Sequence, residues 1–366
     1  MADKILSPSS AEQMQQLVAL LRPIIGLDNG DDLPALTPQI LGFAKNRHRL
    51  APLLSYHLRT TEISAPMMEA QTRDALKAIY RQNAVQETIQ KRVWDRIAKL
   101  FADNDLAFWG LKGQGLAESI YPFTGGRVSK DIDILIHPQD IDTAMQLLVQ
   151  DGFTIAQQRI TSSSDIAHFK NGLSKDAMFY DPQFGQQIEL HRRLLYAEPK
   201  GLTALVRNET PSGQFVTISG VAGMLYTIIH GALDYWSRLK WLVDLSLLCR
   251  HIDSERLERL LQLADRFSCR TALIASLYYC EHIFAGSLQA EVKARVDILA
   301  AKDKGLNPLI DRFANMLQGH HDYSQRSLWR RPDFPTPAWH IFPSTPMRAW
   351  LCGYVPLTFI ARKVAP

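Results

Sequence analysis

Few cysteines, no long apolar run and no long run of one charge are found in the 366 residues. The four cysteines, Cys249, Cys269, Cys280 and Cys352, form no C-x-x-C pair. This argues against a disulfide scaffold and a thiolate zinc site, and fits buried thiols in a reducing cytoplasm. The opening "MADKILSPSS" has no apolar signal-peptide core. No stretch reaches the roughly 18 apolar residues of a membrane span, so a cytoplasmic protein is expected. The tail "MRAWLCGYVPLTFIARKVAP" is apolar and aromatic, and is expected to dock on the protein or make weak contact with a membrane surface. A net charge of +4 suits an anionic ligand; nucleic acid is possible but not singled out. Apolar residues at 46% and charged residues at 21% allow a packed core and argue against global disorder. No internal repeat and no low-complexity segment stands out.

The expected fold class is α+β, a small mixed sheet flanked by N-terminal and C-terminal helical regions. Residues 1–104 read as helical, with Ser9 or Ser10 as a first cap and one long amphipathic stretch closing near Asn104. Residues 105–200 change character. "LAFWGL" reads as a strand, "GQGLAESIY" as a helix, "DIDILIH" as a strand and "PQDIDTAMQLLVQDGF" as a helix. "DAMFYDPQFGQQIELH" reads as a hairpin. Residues 201–330 turn helical again, and residues 331–366, proline-rich from Pro332, form an extended tail.

Two acids alternate with apolar residues in "DIDILIH". Side chains at i and i+2 of a strand share a face, so Asp131 and Asp133 lie together, with Ile132, Ile134 and Ile136 opposite. Close like charges repel, and a cation relieves them; Mg²⁺ favours oxygen ligands and shares its shell with phosphates. Alone, Asp-x-Asp is a weak signal and fits a solvated sheet face better. Glu189 alternates with Ile188 and Leu190 on a second apolar strand, and three acids converge if the two strands are neighbours. His191 shares Glu189's face, as a partner of the acids or as a polar contact to substrate. In "GLKGQG", Gly113 stands at a strand-to-helix turn where backbone can approach a phosphate, and Lys112 adds charge. Arg127 and Ser129 precede the acids, within reach of phosphate oxygens. His168, in "DIAHFK", reads as a surface histidine.

Four segments, "LKGQGLAESIYP", "GGRVSKDIDILIHPQD", "QIELHRRL" and "IIHGALDYWSRLKWLVDLSLL", resemble the bacterial uncharacterised nucleotidyltransferase family of the DNA polymerase β-like superfamily. The R-x-S-x-D-I-D spelling is also similar to nucleotidyltransferase toxins of the AbiE type. The resemblance implies a palm fold, a divalent metal (Mg²⁺ or Mn²⁺) and transfer of a nucleoside monophosphate from a nucleoside triphosphate such as ATP. It maps the metal acids onto Asp131, Asp133 and Glu189. The superfamily's Gly-Ser before the acids appears here as Gly113-Gln114, so the Gln114 amide or backbone groups must serve the triphosphate.

In the fourth segment, a continuous helix at 100° per residue places Asp234, Arg238 and Trp241 on the face of His230, with Lys240 and Asp244 as an i, i+4 pair beside it. Arg238 and Lys240 are expected to contact the triphosphate or base. Trp241 reads as the docking contact of the helix, and His230 as an orienting or core histidine. Two other readings are weighed: a catalytically silent palm-derived binding module, and a D-x-D glycosyltransferase. The second needs a parallel β-α nucleotide-binding half before the acids, where this chain has about 100 helical residues.

Overall fold

The structure is a computed structural model that describes residues 10–28, 33–59, 66–155, 174–195, 198–216, 220–318 and 341–342. The readings of Ser9, His168, Cys352, the proline-rich stretch from Pro332 and the apolar tail lie outside these residues.

The fold is α+β, with a five-stranded mixed sheet between helical regions. Helices α1 (Ser10–Leu21), α2 (Pro38–Phe43) and α3 (Ala51–Leu54) lead to α4 (Ala70–Ala102). Neither Gly nor Pro interrupts the 33 residues of α4, so nothing in it breaks the backbone ladder. Then follow β1 (Phe108–Gly110), α5 (Gln114–Ile120), β2 (Asp131–Ile136), α6 (Ile141–Gln150), β3 (Thr154–Ile155), β4 (Asp176–Tyr180) and β5 (Gln187–His191). The remaining helices are α7 (Leu202–Glu209), α8 (Val221–Leu233), α9 (Leu239–Cys249), α10 (Ser254–Arg266), α11 (Arg270–Ile283), α12 (Ala290–Lys302) and α13 (Leu306–Gln318). No helix among the described residues is long and apolar enough to cross a membrane.

Strand order is β1-β2-β5-β4-β3; the β2–β5 pair is parallel and the other three pairs are antiparallel. The expected hairpin is β4–β5, turning through Asp181, whose carboxylate accepts the Gln183 N–H at 2.8 Å, and Gly185 at φ 66°. Two-residue β3 has too little alternation to be read from sequence. One sheet face is apolar throughout: Ile132, Ile134, Ile136, Phe179, Ile188 and Leu190 pack on Val93, Trp94, Ile97 and Phe101 of α4 and on α6. The other face carries Leu135 into a second, larger core, where α1–α3 pack together with α8–α13. Bonds between distant segments tie that core: Leu239 N–H donates to His48 Nδ1 at 3.0 Å, and Arg47 donates to the Met316 carbonyl at 2.8 Å. Cys249, Cys269 and Cys280 are buried free thiols, as their apolar surroundings suggested.

One helical expectation is overturned. The chain does not run as one helix from His230 to Asp244. It stops at Leu233 and restarts at Leu239, with Tyr235 and Trp236 in the left-handed region at φ 50° and 49°. Trp236 N–H closes onto the Gly231 carbonyl at 3.0 Å, and its indole packs where a Gly231 Cβ would stand, 2.3 Å from the ring. The Trp236 indole N–H donates to Ser276 Oγ at 3.0 Å. This anchoring of one indole outweighs the left-handed backbone cost. The common face of His230, Asp234, Arg238 and Trp241 therefore does not exist. The Lys240–Asp244 spacing survives inside α9.

Candidate active site

Parallel pairing sets Asp133 of β2 beside Glu189 of β5, and Asp131 beside Gln187. Antiparallel pairing then sets Met178 beside Glu189 and Tyr180 beside Gln187. Because side chains alternate, these positions form two rows on one face: Asp131–Gln187–Tyr180, and Asp133–Glu189–Met178. Leu135, His191 and Asp176 form the next row inward.

The acids are tightly held. His191, fully buried, donates from Nε2 to Asp133 Oδ1 at 2.8 Å and lies 3.5 Å from Glu189 Oε2. Lys175 donates to His191 Nδ1 at 3.5 Å, which leaves Nε2 as the proton-bearing nitrogen. Lys175 also pairs with Asp176. Gln187 donates to Glu189 Oε1 at 3.0 Å. Lys112 Nζ stands 4.0 Å from Asp133 Oδ1. Burial favours a protonated Asp133, but the Lys112 charge and the His191 bond outweigh it and hold the carboxyl below the usual carboxylate range. Asp131 goes the other way. Burial, then the charges of Asp133 and Glu189, push it up to about 6. That excess of negative charge is what a divalent cation relieves. Ligand atoms of Asp133, Glu189 and His191 lie within 4.8 Å of one another, a group that could hold a metal ion through its two carboxylates, with Asp131 outside it.

The cationic side of this face is β1, α5 and the loop before β2. Gly113 adopts φ 64°, which favours glycine, and a Cβ there would stand 2.9 Å from Ser129 Oγ. Ser129 donates to the Asp131 carbonyl at 3.2 Å. Gln114 is buried and its amide donates to Glu118 at 2.8 Å, away from the acids. Arg127 is also buried. Its Nε and one terminal nitrogen each donate to Asp244 at 2.9 Å, and the other reaches the Gly113 carbonyl at 3.2 Å. Tyr121 donates to the same Asp244 carboxylate at 2.5 Å. Lys240 donates to the Val128 carbonyl at 2.8 Å; burial, then the Arg127 charge, press it well below its ordinary value. Arg238 sits buried at the start of α9, its guanidinium 5.6 Å from the Trp241 ring centre.

The structure thus brings Lys112 and His191 onto the acids, sets Ser129, Gly113 and Lys240 along the loop before β2, turns Arg127 onto Asp244, and sets Arg238 at the α9 start. A cleft of about 420 Å³, counting solvent at its mouth, opens between α5 and α8–α9, lined by Lys112, Thr227, His230, Trp236 and Trp241 among others. Sequence reasoning missed Tyr121 and Lys175. Neither stands in a local pattern; each is recruited across the fold.

A family model described as "uncharacterised nucleotidyltransferase" matches residues 43–285. No curated protein and no solved structure matches the chain.

Proposed function

Because the chain belongs to the uncharacterised nucleotidyltransferase family, we propose that it transfers a nucleoside monophosphate from a nucleoside triphosphate to an acceptor hydroxyl. The single observation that carries this reading is the parallel register setting Asp133 beside Glu189, with Asp131 on the same face. Asp133 and Glu189, with Asp131 two residues away on the same face, would give a hard-oxygen donor set on a rigid base.

Asp131, Asp133 and Glu189 would hold the metal. A divalent cation, Mg²⁺ or Mn²⁺, supplies Lewis-acid charge to the phosphates and lowers the pKa of the acceptor hydroxyl. His191 keeps Asp133 ionised and aimed. Gln187 aims Glu189, which can take the acceptor proton. Lys112 meets phosphate charge from the β1 side, with Lys240 behind it. The hydroxyl that the superfamily places after the glycine is supplied instead by Ser129, whose Oγ lies against Gly113. Arg127 contributes by fixing the loop that feeds β2.

The test is incubation with each α-labelled nucleoside triphosphate, Mg²⁺ or Mn²⁺, and candidate acceptors. Asp133→Asn lowers transfer at least about a hundredfold while its circular dichroism stays that of wild type. Wild-type transfer by this variant would sink the assignment. Chelation by EDTA stops transfer, and added Mg²⁺ or Mn²⁺ restores it.

A further inference from the structure

The opposite side of the acid face carries a hydroxyl that the reaction above does not use. Asp181 N–H bonds to the Gln186 carbonyl and Arg192 N–H to the Lys175 carbonyl, each at 2.9 Å. Bonded pairs alternate with non-bonded ones, so Met178–Glu189 and Tyr180–Gln187 are the non-bonded pairs, whose side chains approach most closely. Met178 therefore flanks Glu189 directly, and Tyr180 is its diagonal neighbour, a separation that an aromatic side chain spans. Tyr180 Oη donates to the Met178 sulfur at 3.5 Å, which turns the phenol toward the row that Met178 shares with Glu189. Met178 is 37% exposed, so this strip is open. The Lys112 ammonium stands across the acids on the β1 side, 4.0 Å from Asp133 Oδ1. A triphosphate bound on that side would present its α-phosphorus toward Tyr180.

Resting on the nucleotidyltransferase reading, we propose that Tyr180 is itself an acceptor, so that the protein nucleotidylates its own tyrosine. The bond formed joins Tyr180 Oη to the α-phosphorus. The bond broken is that between the α-phosphorus and the oxygen bridging to the β-phosphorus, and pyrophosphate leaves. The phenolic proton passes to Glu189 and on to solvent. The product is a phosphodiester on Tyr180.

The test uses the purified full chain with ATP, GTP, CTP or UTP and Mg²⁺ or Mn²⁺, and no added acceptor. Intact mass and peptide mapping read the product, and calorimetry reads nucleotide binding. Wild type gains one nucleoside monophosphate on the peptide carrying Tyr180. Asp133→Asn gains none. Tyr180→Phe binds nucleotide as wild type does and loses the label. Label on another residue, or nucleotide binding with no label in wild type, overturns Tyr180 as acceptor and leaves the nucleotidyltransferase reading standing. No binding of any of the four nucleotides with either metal overturns both.

Discussion

Arg127 and Asp244 show how much one buried pair carries. Both side chains are nearly sealed from water, 5% and 6% exposed, and meet through two parallel bonds. Removing one partner strands the other's charge, so Asp244→Asn should cost about 3–5 kcal/mol in a urea titration. Replacing both residues with apolar ones of similar volume should cost less than the single change. His48 gives a pH signature. Burial, then the charges of Arg47 and Arg238, lower its pKa from 6.5 to about 3. The unfolded imidazole therefore binds a proton before the folded one does. Its contribution to stability is complete above pH 6.5 and is lost as pH falls toward 3. Between pH 7.5 and pH 5 the loss is about 2 kcal/mol. His48→Asn keeps an acceptor for Leu239 N–H, and its unfolding midpoint should fall less over that interval. An unchanged pH slope would remove His48 from the account. At this scale the acids were legible because strand alternation is a local rule that Asp131, Asp133 and Glu189 obey. The partners of Arg127 were not: Asp244 lies 117 residues away, and no spacing announces it.

Among the elements, the sheet was the readable part. Each of β1, β2, β4 and β5 is an apolar or alternating run bounded by turn residues, and the Pro-Gln-Phe-Gly turn marks its hairpin. The break between α8 and α9 was not readable. "LDYWSRLK" holds neither Gly nor Pro, and two aromatic residues in the left-handed region defy local preference. What forces the break is tertiary: the Trp236 indole lies on Gly231 and bonds to Ser276. Gly231→Ala places a methyl group 2.3 Å from that ring. The overpacking should cost about 1–3 kcal/mol, read as a lower Tm. Because α9 carries Lys240 and Asp244, transfer activity should fall below what the stability loss alone explains.

For the whole molecule, the larger core joins α1–α3 to helices that come two hundred residues later, and this fixes an order of events during synthesis. His48 waits for Leu239, 191 positions on, and Arg47 for Met316, 269 positions on. At about 5–20 residues per second, the first wait alone lasts roughly 10–40 s. Through that interval the part of the α1–α3 surface that α8–α13 cover in the finished fold stays open, although α4 already packs on α2 and α3. A chain stopped at residue 216 should bind a hydrophobic dye strongly and pellet on centrifugation, whereas the full chain does neither. The loop before β2 likewise gains its bonds to Lys240 and Asp244 only after α9 has been synthesised.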